Sequence, residues 1–157
     1  MSGETTLTIV GNLTADPELK FTRSGTPVAS FTVASTSSVY DRGQGGWREG
    51  KTVFMRCSAW KELAENIAES LRKGMRVVVR GVLEQDSWED KQTGEQRQAM
   101  SMTAQEVGAS LRFARVRVER SEKSSQYQAG GAYAQEAFAA AESARQQTVN
   151  SVGIEPW

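Results

Sequence analysis

Phe54, Arg56, Ser58 and Trp60 stand at alternate positions of one short run, Val53-Phe54-Met55-Arg56-Cys57-Ser58-Ala59-Trp60. In an extended chain alternate side chains share a face. One face of this run therefore holds two aromatic rings with a guanidinium and a hydroxyl between them. A hydrophobic core has no use for such a face. A single strand of nucleic acid does: rings stack on bases, and the cation meets phosphates or stacks as well. The opposite face, Val53, Met55, Cys57 and Ala59, is wholly small or apolar, as a core face should be. The same pattern also fits a strand covered on both sides, its aromatics under a helix or a second subunit. The run alone does not choose between the two.

Other chemistries are harder to build from this chain. Histidine is absent and Cys57 is the single cysteine. Zinc sites of the usual kinds, histidine acid–base catalysis and Ser-His-Asp triads are thereby excluded. No glycine pattern leads into the Lys-Ser/Thr of a phosphate-binding loop. No carboxylate pair stands out, so an enzyme is not expected, and neither a metal nor a cofactor is implied. Cys57 lies on the apolar face and reads as a buried structural thiol of a reducing compartment, the cytoplasm. The N-terminus lacks the basic-then-apolar pattern of a secretory signal, and no apolar run approaches the ~20 residues of a membrane span.

The elements that must position the aromatic face follow from periodicity. Thr5 to Leu13 alternates as a strand, breaks at Asp16-Pro17 and continues over Leu19 to Thr22. Val28 to Ser37 is a second strand. Asp41 to Gly50, with four glycines around Trp47, reads as a long mobile hairpin loop. Lys51 to Ala59 is the third strand. Leu63, Ile67 and Leu71, with Ala64 and Ala68, then make one apolar helix face. Arg72 and Lys73 suit the negative helix end, and Gly74 a left-handed stop. Met75 to Leu83 is a valine-rich strand, Asp90 to Gly94 a hairpin turn, and Gln96 to Val107 the fifth strand. Leu111 to Arg120 reads as an extra extended segment, basic at Arg112, Arg115, Arg117 and Arg120. The pattern is all-β: βββ–α–ββ plus one strand. That is the layout of a five-stranded OB-fold barrel with its helix between the third and fourth strands, though the pattern alone also fits small β-barrels of other kinds.

Net charge is zero, but its distribution is uneven. Residues 1–120 carry 17 Lys+Arg against 15 Asp+Glu, and residues 121–157 carry two against four. The first part is one domain by size. In the second, Ser121 to Gly131 is a polar linker. Ala132 to Gln147 is alanine-rich with good helix propensity but has only Tyr133 and Phe138 as large apolar side chains, so a largely disordered or marginally helical tail is expected, ending in the Pro-aromatic Ile154-Glu155-Pro156-Trp157.

Thr8-Ile9-Val10-Gly11-Asn12-Leu13, then Asp16-Pro17-Glu18, then Leu71-Arg72-Lys73-Gly74 resemble the bacterial single-stranded-DNA-binding protein family. The resemblance covers about residues 4–120. Ile9 to Leu19 and Gly108-Ala109-Ser110-Leu111-Arg112-Phe113-Ala114 are most similar to its actinobacterial branch, with a phage- or plasmid-borne member as a variant. The resemblance implies sequence-tolerant binding of single-stranded DNA in replication, recombination and repair, on the nucleoid, by a homotetramer. In that branch the strand after the barrel clamps a neighbouring subunit, and Leu111 to Arg120 matches it by position. Phe54, Trp60 and Trp88 fall at base-stacking positions. Tyr40 is carried over where the family often has a tryptophan, although Val39 aligns there.

Candidate cations are Arg56, Arg80, Lys20, Arg23, Lys61 and Arg97. Arg80 shares parity with Trp88 on the outer face. For Lys20, Arg23 and Arg97 a solvated loop charge serves equally well as a reading, and for Lys61 the helix start does. The family's tail is a run of aspartates before Pro-Phe that docks replication and repair enzymes. Here Ile154, Glu155, Pro156 and Trp157 keep the Pro-aromatic end with one acid, so partner docking is expected to be weakened or altered. Two other classes remain open: an RNA-binding OB module, and an assembly module whose Phe54/Trp60 face covers another protein.

Overall fold

The structure is a computed structural model that describes residues 3–122, 139–141 and 143. The chain divides into two units, Met1–Arg117 and Val118–Trp157. The first holds six strands and one helix: β1 (Thr6–Leu13), β2 (Glu18–Phe21), β3 (Pro27–Asp41), β4 (Gly46–Trp60), α1 (Glu62–Ser70), β5 (Arg76–Glu89) and β6 (Gln96–Ala109). The strands form one sheet in the order β1-β5-β6-β4-β3-β2, and β1 also pairs with β3. The pairings β1–β5–β6–β4–β3–β1 therefore run in a closed circuit, with β2 added on the outside of β3. All are antiparallel except β4–β6, which is parallel through Arg56–Ser101, Cys57–Met102 and Ser58–Thr103. Among the described residues no helix is long and apolar enough to cross a membrane.

Period-two alternation fills the interior. Ile9 and Leu13 of β1, Ala29, Phe31 and Val33 of β3, and Met55, Cys57 and Ala59 of β4 are buried. Val77 and Val79 of β5 and Met102 and Ala104 of β6 complete the strand side. Ala64, Ile67 and Leu71 close the core from the helix side. Two glycines let strands approach this closely. A Cβ on Gly11 would lie 2.2 Å from the Ala34 carbonyl oxygen, where β1 passes from β5 to β3. A Cβ on Gly81 would lie 2.2 Å from the Thr103 carbonyl oxygen, beside the register shift at Arg80/Gly81. Glycines and bulges at strand bends are how a small sheet curls enough to close.

The motif around Asp16 and Gly74 is structural. Asn12 Nδ2 donates to the Gly74 carbonyl at 3.0 Å, and the Lys73 N–H donates to Asp16 Oδ1 at 2.8 Å. Gly74 takes φ +85°, the left-handed turn expected of it. The helix, however, ends at Ser70, so Arg72 and Lys73 lie beyond it. Arg72 still serves the helix end through its side chain, donating to the Ala68 and Leu71 carbonyls at 2.7 Å each.

Four other expectations change. Leu19 to Thr22 is not a continuation of β1: Glu18–Phe21 is a strand of its own, because Pro17 cannot donate to a ladder. The expected loop over Asp41 to Gly50 is mostly ladder. β3 and β4 stay paired out to Asp41–Gly46, leaving only a short turn. Val53, assigned to the core, is 54% exposed because this ribbon runs past the interior. Leu111 to Arg120 joins no ladder. β2 and the outer ends of the β3–β4 and β5–β6 ribbons leave sheet edges open, but the segment meets none of them among the described residues, and without a ladder partner it forms no strand. In the second unit residues 139–141 and 143 are helical, and the Ser143 hydroxyl donates to the Ala139 carbonyl at 2.9 Å. The rest of the Ala-rich segment and the Ile154–Trp157 end lie outside the described residues.

Candidate nucleic-acid interface

Residues opposed across a ladder point to the same face, so the register arranges the outer surface in rows. Lys20, Val28 and Trp60 form one row. Thr32, Arg56, Ser101 and Glu84 form the next. Ala34 and Phe54 form a third, and Trp88 opposes Arg97 towards the end of the β5–β6 hairpin. Phe54 is 66% exposed, Trp60 46% and Trp88 47%. Among the described residues nothing covers these rings.

Between the rows lies an open groove of about 400 Å³ whose lining includes Thr32, Arg56, Ser58, Asp86, Trp88 and Ser101. The structure thus brings Arg56 and Trp88 together, although they stand 32 positions apart in sequence. Phe54 and Trp60 flank Arg56 along β4, each two to four residues away. The groove is of mixed charge. The Ser101 hydroxyl donates to Asp86 and the Thr103 hydroxyl to Glu84, each at 3.1 Å. These bonds hold both carboxylates back against β6. Arg56 has no ion pair among the described residues.

The other candidate cations are placed differently. Lys20 shares the Trp60 row but lies 3.2 Å from Glu18, both side chains largely exposed, a pairing of little energetic weight. Arg97 is held by Asp90 at 2.7 Å, so it is an ion-paired residue of the hairpin rather than a free loop charge. Arg80 faces outward as expected, but in a row with Thr8 and Glu106 rather than on the groove. Arg23 sits exposed in the Thr22–Thr26 turn, away from the rows. Lys61 starts the helix with φ +61°, its N–H donating to the Pro27 carbonyl at 2.9 Å. Tyr40 stands at the far end of the β3–β4 ribbon, opposite Trp47, with ring centroids 5.4 Å apart and planes at 72°.

Sequence reasoning missed the polar floor of the groove: Thr32, Ser101 and Asp86. The alternation Ser101-Met102-Thr103-Ala104 carried a signal for part of it, since the apolar partners are buried. Cys57 behaves as its position implies. Burial pushes its thiol up to about 11, so it is protonated at neutral pH and a poor nucleophile.

The description "Single-strand binding protein family" matches residues 5–110. The chain is 46% identical over 157 residues to a single-stranded DNA-binding protein of Mycobacterium tuberculosis, covering 100% of this chain and 89% of the relative. It is 52% identical over 124 residues to one from Mycolicibacterium smegmatis, covering 79% and 74% of the two chains. Among solved structures, a small single-stranded DNA-binding protein from Streptomyces coelicolor superposes with a TM-score of 0.61 at 31% identity, over 70% of this chain and 97% of that one.

Proposed function

The chain belongs to the single-strand binding protein family, and from that premise we propose that it binds and protects single-stranded DNA without sequence preference. The observation that carries this reading is the exposed outer face, where Phe54 and Trp60 flank Arg56 along β4 and Trp88 lines the same solvent-open groove as Arg56. Every base has a ring face, so stacking on three rings tolerates any sequence. Arg56 serves the phosphates or stacks, and Lys20 extends the Trp60 row. Tyr40, Arg80, Arg23, Lys61 and Arg97 belong to the wider path of the strand. The work is binding, not catalysis.

The closed strand circuit supports reading the first unit as an OB-fold barrel, with residues 1–120 the binding and assembly domain and 121–157 the linker and tail. One barrel spans only ~4–16 nucleotides, so sheathing longer DNA calls for several copies, and a homotetramer is the proposed state. Roles in replication, recombination and repair on the nucleoid follow from that activity. Ile154, Glu155, Pro156 and Trp157 are the proposed docking end for replication and repair proteins. Capture of such a protein by the full chain, lost on removing residues 154–157, is the check on the tail.

The test of the main reading is a titration with oligo-dT, oligo-rU and duplex DNA, repeated with Phe54→Ala and Trp60→Ala. The expected result is dT bound well above duplex and rU. Each substitution should weaken dT binding by roughly 1–3 kcal/mol with the melting temperature unchanged. Preference for rU would favour the RNA-binding module instead. Unchanged affinity with altered assembly would mark the face as a protein contact.

A further inference from the structure

The charges around the groove are sorted by strand. In the row Thr32, Arg56, Ser101 and Glu84, the guanidinium stands on β4, the hydroxyl on β6 and the carboxylate on β5. Neighbouring strands lie ~4.8 Å apart, which sets Arg56 and Glu84 roughly 10 Å from each other at the backbone. Asp86 follows Glu84 at the next alternate position of β5, and Trp88 follows Asp86, so the three share a face. Across this part of the sheet the face runs from positive on β4, through neutral hydroxyls on β6, to negative on β5 beside the Trp88 ring.

The two β5 carboxylates are exposed, and what holds them is neutral. The Ser101 hydroxyl donates to Asp86 and the Thr103 hydroxyl to Glu84, each at 3.1 Å. A hydroxyl orients a carboxylate without cancelling its charge. The other acids that line the groove are answered differently. Glu18 has Lys20 at 3.2 Å, and Asp16 accepts from the Lys73 N–H at 2.8 Å. Arg97, opposite Trp88, is already held by Asp90 at 2.7 Å. Among the described residues neither Glu84 nor Asp86 has an ion pair, so both keep their negative charge on the ring side of the groove.

Phosphates and bases respond to such an edge in opposite ways: it repels a phosphate and leaves a neutral base ring alone. A single strand can turn its phosphates towards Arg56 and its bases towards Trp88. A duplex cannot, because its bases are stacked inside and it presents one negative charge per ~1.7 Å of axis. We propose that Glu84 and Asp86 are specificity-determining residues, a phosphate-excluding edge that admits bases to Trp88 and turns duplex DNA away. The proposal deepens the single-strand-binding reading above and rests on it. Selectivity of this kind comes from repelling the wrong ligand as well as attracting the right one.

Asp86→Asn and Glu84→Gln test it, since each removes a charge and keeps an oxygen for the hydroxyl. The full chain, both single variants, the double variant and Glu69→Gln, exposed on α1, are compared. The ligands are labelled dT of about 16 nucleotides and a duplex of about 16 base pairs, at two salt concentrations. Each β5 variant should raise duplex affinity roughly threefold at low salt, the size of a unit-charge repulsion across ~7 Å of water. The double variant should gain roughly tenfold, and dT affinity should rise much less in all three. Added salt should shrink the gains. Glu69→Gln should leave the ratio of the two affinities unchanged. With wild type still preferring dT, no gain for the duplex, or an equal gain for both ligands, would overturn this proposal alone. So would the same narrowing in Glu69→Gln, which would make it an effect of net charge. A lowered melting temperature without narrowing would make the carboxylates props of β6 and overturn it too. If wild type itself showed no preference for dT over duplex, the underlying reading would fall with it.

Discussion

At the scale of single residues, the candidate site separates side chains that hold the fold from side chains that face solvent, even within one strand. Met55, Cys57 and Ala59 are buried while Phe54 and Trp60 stand out from the same ladder. Lys61, one position further on, shows where the two demands meet. It has φ +61° and ψ −136°, and the helix it begins has no side-chain cap. A non-glycine residue held in such a conformation costs on the order of 1–3 kcal/mol. Glycine would relieve that strain, partly offset by the extra freedom it gives the unfolded chain. Lys61→Gly is therefore expected to raise stability by about 1 kcal/mol, seen as a higher urea midpoint at unchanged slope. If the lysine also meets DNA, the same variant loses affinity while gaining stability. A lower midpoint would show that the Lys61 side chain holds the helix start in some other way.

At the scale of elements, what could be read from sequence is what alternation alone determines. The buried sets of β1, β5 and the end of β4 follow from period two, and the Leu63/Ile67/Leu71 stripe identifies the helix. The aromatic face was legible for the same reason. Three things were not. The parallel β4–β6 pairing and the β1–β3 closure are contacts distant in sequence and leave no periodic mark. The register shift between Thr36 and Ser38 reverses parity along β4 without changing composition, so Trp47 looked like part of a loop. Val53 kept its apolar pattern on a ribbon that had already left the core.

Leu111 to Arg120 is the sharpest case: its pattern is that of a strand, yet it joins no ladder among the described residues. Leu111 and Phe113 are 68% and 78% exposed, the latter within reach of the Arg76 and Arg112 guanidiniums. An apolar, basic segment that joins no ladder suits the edge of a second copy. Deleting residues 111–120 is accordingly expected to lower the sedimenting mass below that of the proposed tetramer while the sheet keeps its dichroism. A tetramer that survives the deletion would assign assembly to another surface.

At the scale of the whole molecule, charge sets how binding should respond to salt. A chain with 19 Lys+Arg and 19 Asp+Glu has no net attraction for DNA, so any attraction must be local. Around the groove the local supply is small. Lys20 sits beside Glu18, Arg97 is held by Asp90, and Asp86 and Glu84 place carboxylates on the same outer face. Arg56 is the candidate cation that lines the groove. Stacking should then carry a large share of affinity, with few phosphates neutralised.

For single strands each neutralised phosphate contributes about −0.7 to the slope of log affinity against log salt. With two to four such contacts per chain as a rough count, the expected slope is about −1.5 to −3. Arg56→Gln should make it less negative by about 0.7. Trp60→Ala should lower affinity at every salt concentration and leave the slope alone, because a neutral stack releases no counterions. The measurement is poly-dT binding over a tenfold range of salt for the three proteins. A slope several times larger, or one that Trp60→Ala flattens as much as Arg56→Gln does, would mean that stacking and charge are not separable at this site and that cations outside the groove carry the strand.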